Sequence, residues 1–335
     1  MKSIKIKLFG ISSFILMLSV YSFSQDISRE WIMNIGGIGG SIGSDMVCDI
    51  SGNIYIIGYS SGIIHFNNDS TVSNGSTDVL VTKINAGGDL LWAMNIGGIS
   101  DDYGASIDIM QNSSLYISGI FKDTAAFGDD TLISRGDRDL FLAKMDLDGN
   151  MIWGKQFGGN GMDVTMKISI EDEDIYATGG FRDTAYFGED ILISYGDEEI
   201  FVAKFTGNGD LTWIKQAGSD QYECGQAIKT NQSGIYVAAY FRDTCYFPID
   251  TLISRGSSDL SLSKFDSDGN MIWLTHAGGI DFEIGAGLCI DESNNIHFSG
   301  TFGSTLHIQD DSLVSDGFLD AFFLSFDNDN GQLIG

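Results

Sequence analysis

Phe121-Lys122-Asp123-Thr124-Ala125-Ala126-Phe127-Gly128 returns as Phe181-Arg182-Asp183-Thr184-Ala185-Tyr186-Phe187-Gly188, and again in looser form from Phe241 to Phe247. Just before this stretch lies an apolar run that also repeats. Leu115-Tyr116-Ile117-Ser118-Gly119 matches Ile54-Tyr55-Ile56-Ile57-Gly58 and Ile175-Tyr176-Ala177-Thr178-Gly179, with Ile296-His297-Phe298-Ser299-Gly300 as the last version. Further out, tryptophans at 31, 92, 153, 213 and 273 stand 61, 61, 60 and 60 residues apart. Self-similarity at a period of about 20–50 residues marks solenoids and propellers, and this period is a long version of that signal.

Each repeat offers four apolar, β-rich runs separated by turn residues. In the second copy these are Leu91 to Ile96, Ser106 to Ile109, Leu115 to Phe121 and Leu140 to Met145. Helix signals are nearly absent. Pro248 is the one proline against 43 glycines, as many tight turns between strands require. The expected fold is all-β: a β-propeller of five repeats of about 60 residues, each a four-stranded antiparallel blade. The repeats run 31–91, 92–152, 153–212, 213–272 and 273–334 within a propeller domain over 25–335.

The turns say how the blades are cut. Asp146-Leu-Asp-Gly-Asn-Met-Ile-Trp153 recurs as Asp266-Ser-Asp-Gly-Asn-Met-Ile-Trp273. Asp-Gly suits a short reversal, so the strand before it and the Trp strand pair as a hairpin within one blade. The longer Gly-Gly loops after Trp, such as Gly97-Gly98-Ile99-Ser100-Asp101-Asp102, then cross to the next inner strand. On this cut the last repeat lacks a Trp strand and the first has a spare one from Glu30 to Ile35. The Trp31 strand is therefore expected to close the ring as the outer strand of the last blade, leaving no unpaired edge. The extra length of each repeat lies between the Tyr strand and the strand carrying Lys83, Lys144, Lys204 or Lys264. It emerges on the same face as the Gly-Gly crossings.

Residues 1–24 read as a signal peptide. Lys2, Lys5 and Lys7 precede an apolar run from Leu8 to Val20 and then Ser22-Phe23-Ser24, with cleavage expected before Gln25. The run is too short for a comfortable membrane span, and no later segment reaches about 18 apolar residues, so no membrane insertion is expected after cleavage. Loss of the leader lysines moves the net charge from −28 to −31. Such a field repels phosphate backbones and anionic membranes, which excludes nucleic acid as an expected partner.

The four cysteines, Cys48, Cys224, Cys245 and Cys289, allow three pairings in an oxidising compartment. A Cys48–Cys289 bridge would tie the first repeat to the last, while buried free thiols in the sheets are the favoured reading. None has metal-ligand spacing.

Ten residues after each Trp stand Asp102, Asp163, Glu223 and Glu283, with Ser41 in the first copy. Two further on stands Gly43, Gly104, Gly225 or Gly285, and Thr165 is the exception. A carboxylate near each inner mouth could bind a cation or sugar hydroxyls, and these four are the candidate ligand-binding residues. The alternative is an acid that accepts backbone N–H bonds in a tight crossing, as Asp does in turns. The Asp-x-Asp-Gly-Asn turns look like the opening of a calcium loop, yet they lack the bidentate Glu and a hairpin needs those residues anyway. No metal and no cofactor is expected. The Trp residues read as packing between blades rather than as exposed stacking platforms.

No G-x-S-x-G occurs, and the histidines at 65, 276, 297 and 307 share no repeat position. A propeller glycosidase needs carboxylates in different environments, whereas acids made equivalent by repetition do not separate their pKa values.

The Trp-x-x-x-x-Gly-Gly start, the Ile-Tyr-x-x-Gly-x-Phe strand, the Asp-Thr-Ala-x-Phe-Gly insertion and the Asp-x-Phe-x-Ala-Lys-x-Asp-x-Asp-Gly-Asn end together resemble the SBBP-type β-propeller repeat of secreted bacterial proteins, from about 26 to 334. The resemblance implies a propeller and an extracellular or surface repeat module without a defined activity. The family name implies seven blades where this chain has five repeats. The Asp-x-Asp-Gly-Asn-x-x-Trp turn also looks like the tryptophan-docking motif of quinoprotein propellers. The insertion is foreign to those, so a quinone is not carried over.

The reading reached is an exported, non-enzymatic β-propeller, a binding or scaffold module at the cell surface or outside it, with a protein or carbohydrate partner. The alternatives are a multivalent glycan-binding lectin with one site per blade and a carboxylate-dependent glycoside hydrolase.

Overall fold

The computed structural model describes residues 31–335 except Ile38, Asn67, Asn68 and Asn112, so the leader expected over 1–24 lies outside the described residues. Contacts divide the chain after Ile32, and Met33–Gly335 forms one compact unit. Its regular structure is all β. Among the described residues no helix is long and apolar enough to cross a membrane.

The second sheet shows the plan. Its inner strand Tyr103–Met110 pairs with the tyrosine strand Ser114–Phe121, which pairs with the lysine strand Asp139–Asp146, which pairs with the tryptophan strand Met151–Gly159, each antiparallel to the last. The first sheet repeats this order with Ser41–Cys48, Ile54–Ser60, Asp78–Ile84 and Leu90–Gly98. So do the third, Val164–Glu171, Asp174–Phe187, Asp190–Thr206 and Leu211–Ala217, and the fourth, Cys224–Asn231, Gly234–Phe241, Asp259–Phe265 and Met271–Gly278. The fifth has Glu283–Ile290, Ile296–Phe302 and Asp320–Phe326. Successive inner strands pack on one another, which makes the arrangement propeller-like.

Repeated residues form rows across each sheet. Tyr116 stands opposite Lys144, and Lys144 opposite Trp153. The lysine ammonium lies over the tyrosine ring at 5.1 Å, a cation–π contact seen again at Lys83, Lys204 and Lys264. Trp92, Trp153, Trp213 and Trp273 then dock on the glycine-containing turn of the following sheet. Trp92 Nε1 donates to Leu147 O at 3.3 Å, Trp213 Nε1 to Ser267 O at 2.9 Å and Trp273 Nε1 to Asn328 O at 2.9 Å. Gly149, Gly209, Gly269 and Gly331 have positive φ and lie against these indoles, where a Cβ would crowd the ring. The turn is glycine for both its backbone and its neighbour. The leading aspartate is occupied within the turn as well: Asp146 Oδ1 accepts the N–H groups of Asp148 and Asn150 at 2.9 and 2.8 Å, and Asp266 does the same.

The Asp-Thr-Ala-x-Phe-Gly insertion is a hairpin, Thr124–Phe127 with Asp130–Ile133, placed between tyrosine and lysine strands. Asp123, Asp183 and Asp243 turn into it with φ of 58, 59 and 50°. Ala125 and Phe127 are buried, and Phe127 packs on Phe141 with ring centroids 4.8 Å apart. The hairpin does not stand free as an elaborated loop. Its first strand pairs with the Gly-Gly end of the preceding tryptophan strand: Ala125 with Gly98, Ala185 with Gly159, Tyr246 with Gly218 and His307 with Gly278.

The expected closure by the Trp31 strand is not made. Trp31–Asn34 carry no strand, and Ile35–Gly37 pairs with Ile63–Phe66, the hairpin of the first sheet. The free edge of the fifth sheet is instead begun by local chain, with Leu333 bridged to Phe326 and Ile334 N donating to Ser325 O at 2.8 Å. A short loop from Asp327 brings those residues together at far lower entropic cost than recruiting a strand from the other end. Among the described residues no β-pair joins the fifth sheet to the first. The cysteines follow from this. All four are free, and Cys224 and Cys245 are buried as expected. Cys48 and Cys289 are exposed, because they lie on the inner strands of the first and last sheets, which lack a neighbour on one side.

Candidate functional site

The acids singled out by the repeat fall in one structural role. Asp102, Asp163, Glu223 and Glu283 sit on the crossings that leave the tryptophan strands, after a Gly-Gly pair or, for Glu223, after Gly218-Ser219, and all four are buried. Asp102 accepts Gly98 N at 2.8 Å and Lys122 N at 3.1 Å, and Asp163 accepts Gly159 N at 3.0 Å and Arg182 N at 3.4 Å. Glu223 accepts Ser219 N at 2.9 Å and Ser219 Oγ at 2.8 Å. Glu283 occupies the same place, but no donor meets either of its oxygens in hydrogen-bonding geometry. Asp102 and Asp163 thus tie the end of one tryptophan strand to the start of the next sheet's hairpin.

A second set of acids faces the first. Asp78, Asp139, Glu199 and Asp259 open the lysine strands and are fully buried. Asp139 accepts Arg135 N at 3.2 Å and Gln156 Nε2 at 2.6 Å, and Glu199 accepts Gln216 Nε2 at 3.0 Å and also Tyr195 N. Each pair closes around a Gly-Gly glycine: a Cβ on Gly97, Gly158 or Gly278 would collide with their carboxyl oxygens. Burial pushes Asp102, Asp163, Glu223 and Glu283 up to about 7, in the first three against the pull of their hydrogen-bond donors, and the facing carboxylate adds to the rise. Asp259 is raised to about 6 by the same burial. His276 Nε2 lies 3.5 Å from Asp259, but burial lowers this histidine to about 4, so the contact is not an ion pair at neutral pH. These acids hold crossings together. The facing series was legible in the sequence as the Asp or Glu five residues before each repeated lysine.

The structure brings a different set together at the mouth of the inner strands. A cleft of about 300 Å³ between the first three sheets is lined by Ser44, Tyr59, Tyr103, Arg138, Thr165 and Lys167 among others. Tyr59 and Tyr103 meet edge to face with centroids 4.8 Å apart, and the Arg138 guanidinium lies 5.3 Å over the Tyr103 ring. Arg138 Nε is buried with no hydrogen-bond partner among the described residues. Lys167 Nζ donates to Ala105 O at 2.6 Å, and burial pulls its pKa down.

These residues are where the repeats stop agreeing. The place of Tyr103 holds Ile42, Val164, Cys224 and Ile284 in the other copies, and that of Arg138 holds Thr77, Glu198 and Ser258. The strand register puts Lys167 where the others have Asp45, Ser106, Ala227 and Gly287. Thr165 is the sharpest departure. The bulge that interrupts every inner strand falls after Gly43, Gly104, Gly225 and Gly285, but in the third sheet it moves one place and leaves Thr165 unpaired. Its φ is 45°, in the left-handed region that a β-branched residue rarely adopts. Its signal in the sequence is that it is the one non-glycine in its column.

No family model matches the chain. It is 20% identical over 258 residues to an uncharacterised WD repeat-containing protein of Acanthamoeba polyphaga mimivirus, a match over 63% of this chain and 19% of that protein. The chain thus spans about a fifth of the length of this curated relative. Among solved structures it is similar to a GH43 endo-arabinanase from Bacillus licheniformis, with a TM-score of 0.36 and 12% identity over 84% of this chain and 93% of that one. It is also similar to the Pan2 WD40 domain of Neurospora crassa, with a TM-score of 0.30 and 8% identity over 77% and 86% of the two chains.

Proposed function

We propose that this chain is an exported, non-enzymatic binding module of the five-bladed propeller type, akin to the SBBP repeats, acting at the cell surface or outside it. The observation that carries the reading is the convergence of four departures from the repeat, Tyr103, Arg138, Thr165 and Lys167, on one open cleft. Repetition alone makes equivalent positions, so a place where sheets differ in charge, size and backbone conformation is where recognition is concentrated. Against the hydrolase alternative stands the position of the repeated acids: they are buried at the crossings, facing one another and backbone N–H groups. Against a lectin with one site per repeat stands the cleft lining, which occurs once.

The test is an array of glycans and surface polymers probed with the purified chain, followed by analysis of every retained ligand for cleavage. Retention at one site per chain with the ligand intact is the expected result. Turnover of a retained saccharide, or saturation at four or five equivalents, overturns the reading.

A further inference from the structure

We propose that the cleft between the first three sheets binds a single sugar-acid ring, with Arg138 and Lys167 receiving its carboxylate and the Tyr59 and Tyr103 rings packing against its face. The inference rests on the binding reading above and names the ligand class for that site.

The charge pattern comes first. The sequence carries a formal net charge of −28, so cations gathered in a cleft are exceptional on this surface. Arg138 has a buried Nε–H with no acceptor among the described residues. A buried donor left unpaired is costly, and a carboxylate meets a guanidinium edge with two parallel bonds. Lys167 spends one N–H on Ala105 O and keeps two for a ligand. Asp45, whose charge acts on Lys167, accepts Ser106 Oγ at 2.7 Å, Ile107 N at 3.2 Å and Met46 N at 2.8 Å, and Asp137, beside Arg138, pairs with Lys122 at 2.6 Å.

Shape and polarity narrow the class. A site of about 300 Å³ is at the small end of ligand pockets, which span about 300–1,000 Å³, and suits one ring rather than an extended chain. The T-shaped tyrosine pair offers apolar ring surface beside hydroxyls, and Ser44 and Thr165 add two more hydroxyls to the lining. That is the complement of a pyranose, with C–H faces and O–H edges. The strained Thr165 replaces a glycine that the backbone would otherwise favour, and strain of this kind is retained where a side chain is needed. The acidic field of the whole protein opposes ligands with many negative charges, so the acceptable anion is a singly charged one.

The experiment is calorimetric titration of the purified chain with galacturonate and glucuronate, with galactose and glucose as neutral controls and polygalacturonate as the polymer arm. The expected result is one site per chain for at least one free uronate, at least about tenfold tighter than its neutral counterpart, with Arg138→Gln and Lys167→Met each weakening it by about tenfold or more. Thermal melts establish that each variant folds. Quenching of tyrosine fluorescence by the uronate in the unmutated chain reads the same site without a substitution. Equal binding of neutral sugars, uronate binding unchanged in both charge variants, or binding of the polymer without the free ring overturns the inference and leaves the broader binding reading standing. That reading falls only on cleavage or on the stoichiometry given above.

Discussion

The Gly-Gly crossings and the mouth of the inner strands are built from the same repeats and treat them in opposite ways. At the crossings four copies agree: a glycine five residues after the Trp, an acid ten residues after it, a facing acid and a hairpin strand laid on the edge. At the mouth the same columns diverge into Tyr, Arg, Lys and a left-handed Thr. Agreement here marks what every sheet needs in order to hold its neighbour. Divergence marks what only one place in the molecule does.

The largest expected effect tests the agreement, because it sums over four sites. The carboxyls of Asp102, Asp163, Glu223 and Glu283 are raised to about 7 when folded, above the unfolded value of about 4. The folded state therefore binds protons more tightly, so the stability from these groups is full below about pH 4, falls as pH rises to about 7, and levels off above. His276, lowered to about 4, works in the opposite sense as a single group. Thermal melts from pH 5 to 8 should show Tm falling, and Asp163→Asn should flatten the profile by costing less at pH 8 than at pH 5. A Tm that rises steadily from pH 5 to 8 would mean that burial does not raise these carboxyls.

Next comes Gly158→Ala, whose new methyl would collide with Asp163 at a φ of 114°. Overpacking and left-handed strain together should cost roughly 2–4 kcal/mol in urea unfolding. Gly188→Ala, at a positive φ but in open space, should cost only the strain. Equal losses would show that the crowded crossing contributes nothing of its own.

Trp273→Phe removes an indole that donates to Asn328 O and covers Gly331. The expected loss is roughly 1–3 kcal/mol, from one hydrogen bond and a partly filled cavity. No loss would detach the repeated Trp from the joining of sheets.

The smallest effect separates the two regions most cleanly. Thr165→Gly should stabilise the fold by about 1 kcal/mol by relieving a left-handed β-branched residue, whereas it weakens ligand binding. Destabilisation by this change would place Thr165 among the residues that hold sheets together.

Much of this was legible in the sequence. The Trp period, the Asp-Gly hairpins, the crossings and the position of the insertion between second and third strands follow from local patterns that each repeat carries whole. The insertion's pairing was not legible, because which edge a hairpin adds to depends on residues in the previous sheet. Closure failed for a similar reason: Leu333 and Ile334 are adjacent to the edge they occupy, while the Trp31 strand is remote in sequence. The crossing acids stood out in the sequence as a column, with ligand and loop both open as readings; their burial was not legible, because burial of a loop is tertiary. The cleft needed three sheets in place before Tyr59, Tyr103, Arg138 and Lys167 could be seen as neighbours.

The insertion hairpin carries a direction. Those of the second to fifth sheets reach back to the end of the tryptophan strand made before them, and that of the first reaches back to Ile35–Gly37. A chain emerging from the ribosome or a translocation pore would therefore form a sheet with one raw edge, hold it until the hairpin that follows the next tyrosine strand is made, and have the end of that edge covered by the newcomer. Assembly becomes a ratchet in which every step protects its predecessor, and the exposed edge at any moment is confined to the most recent arrival.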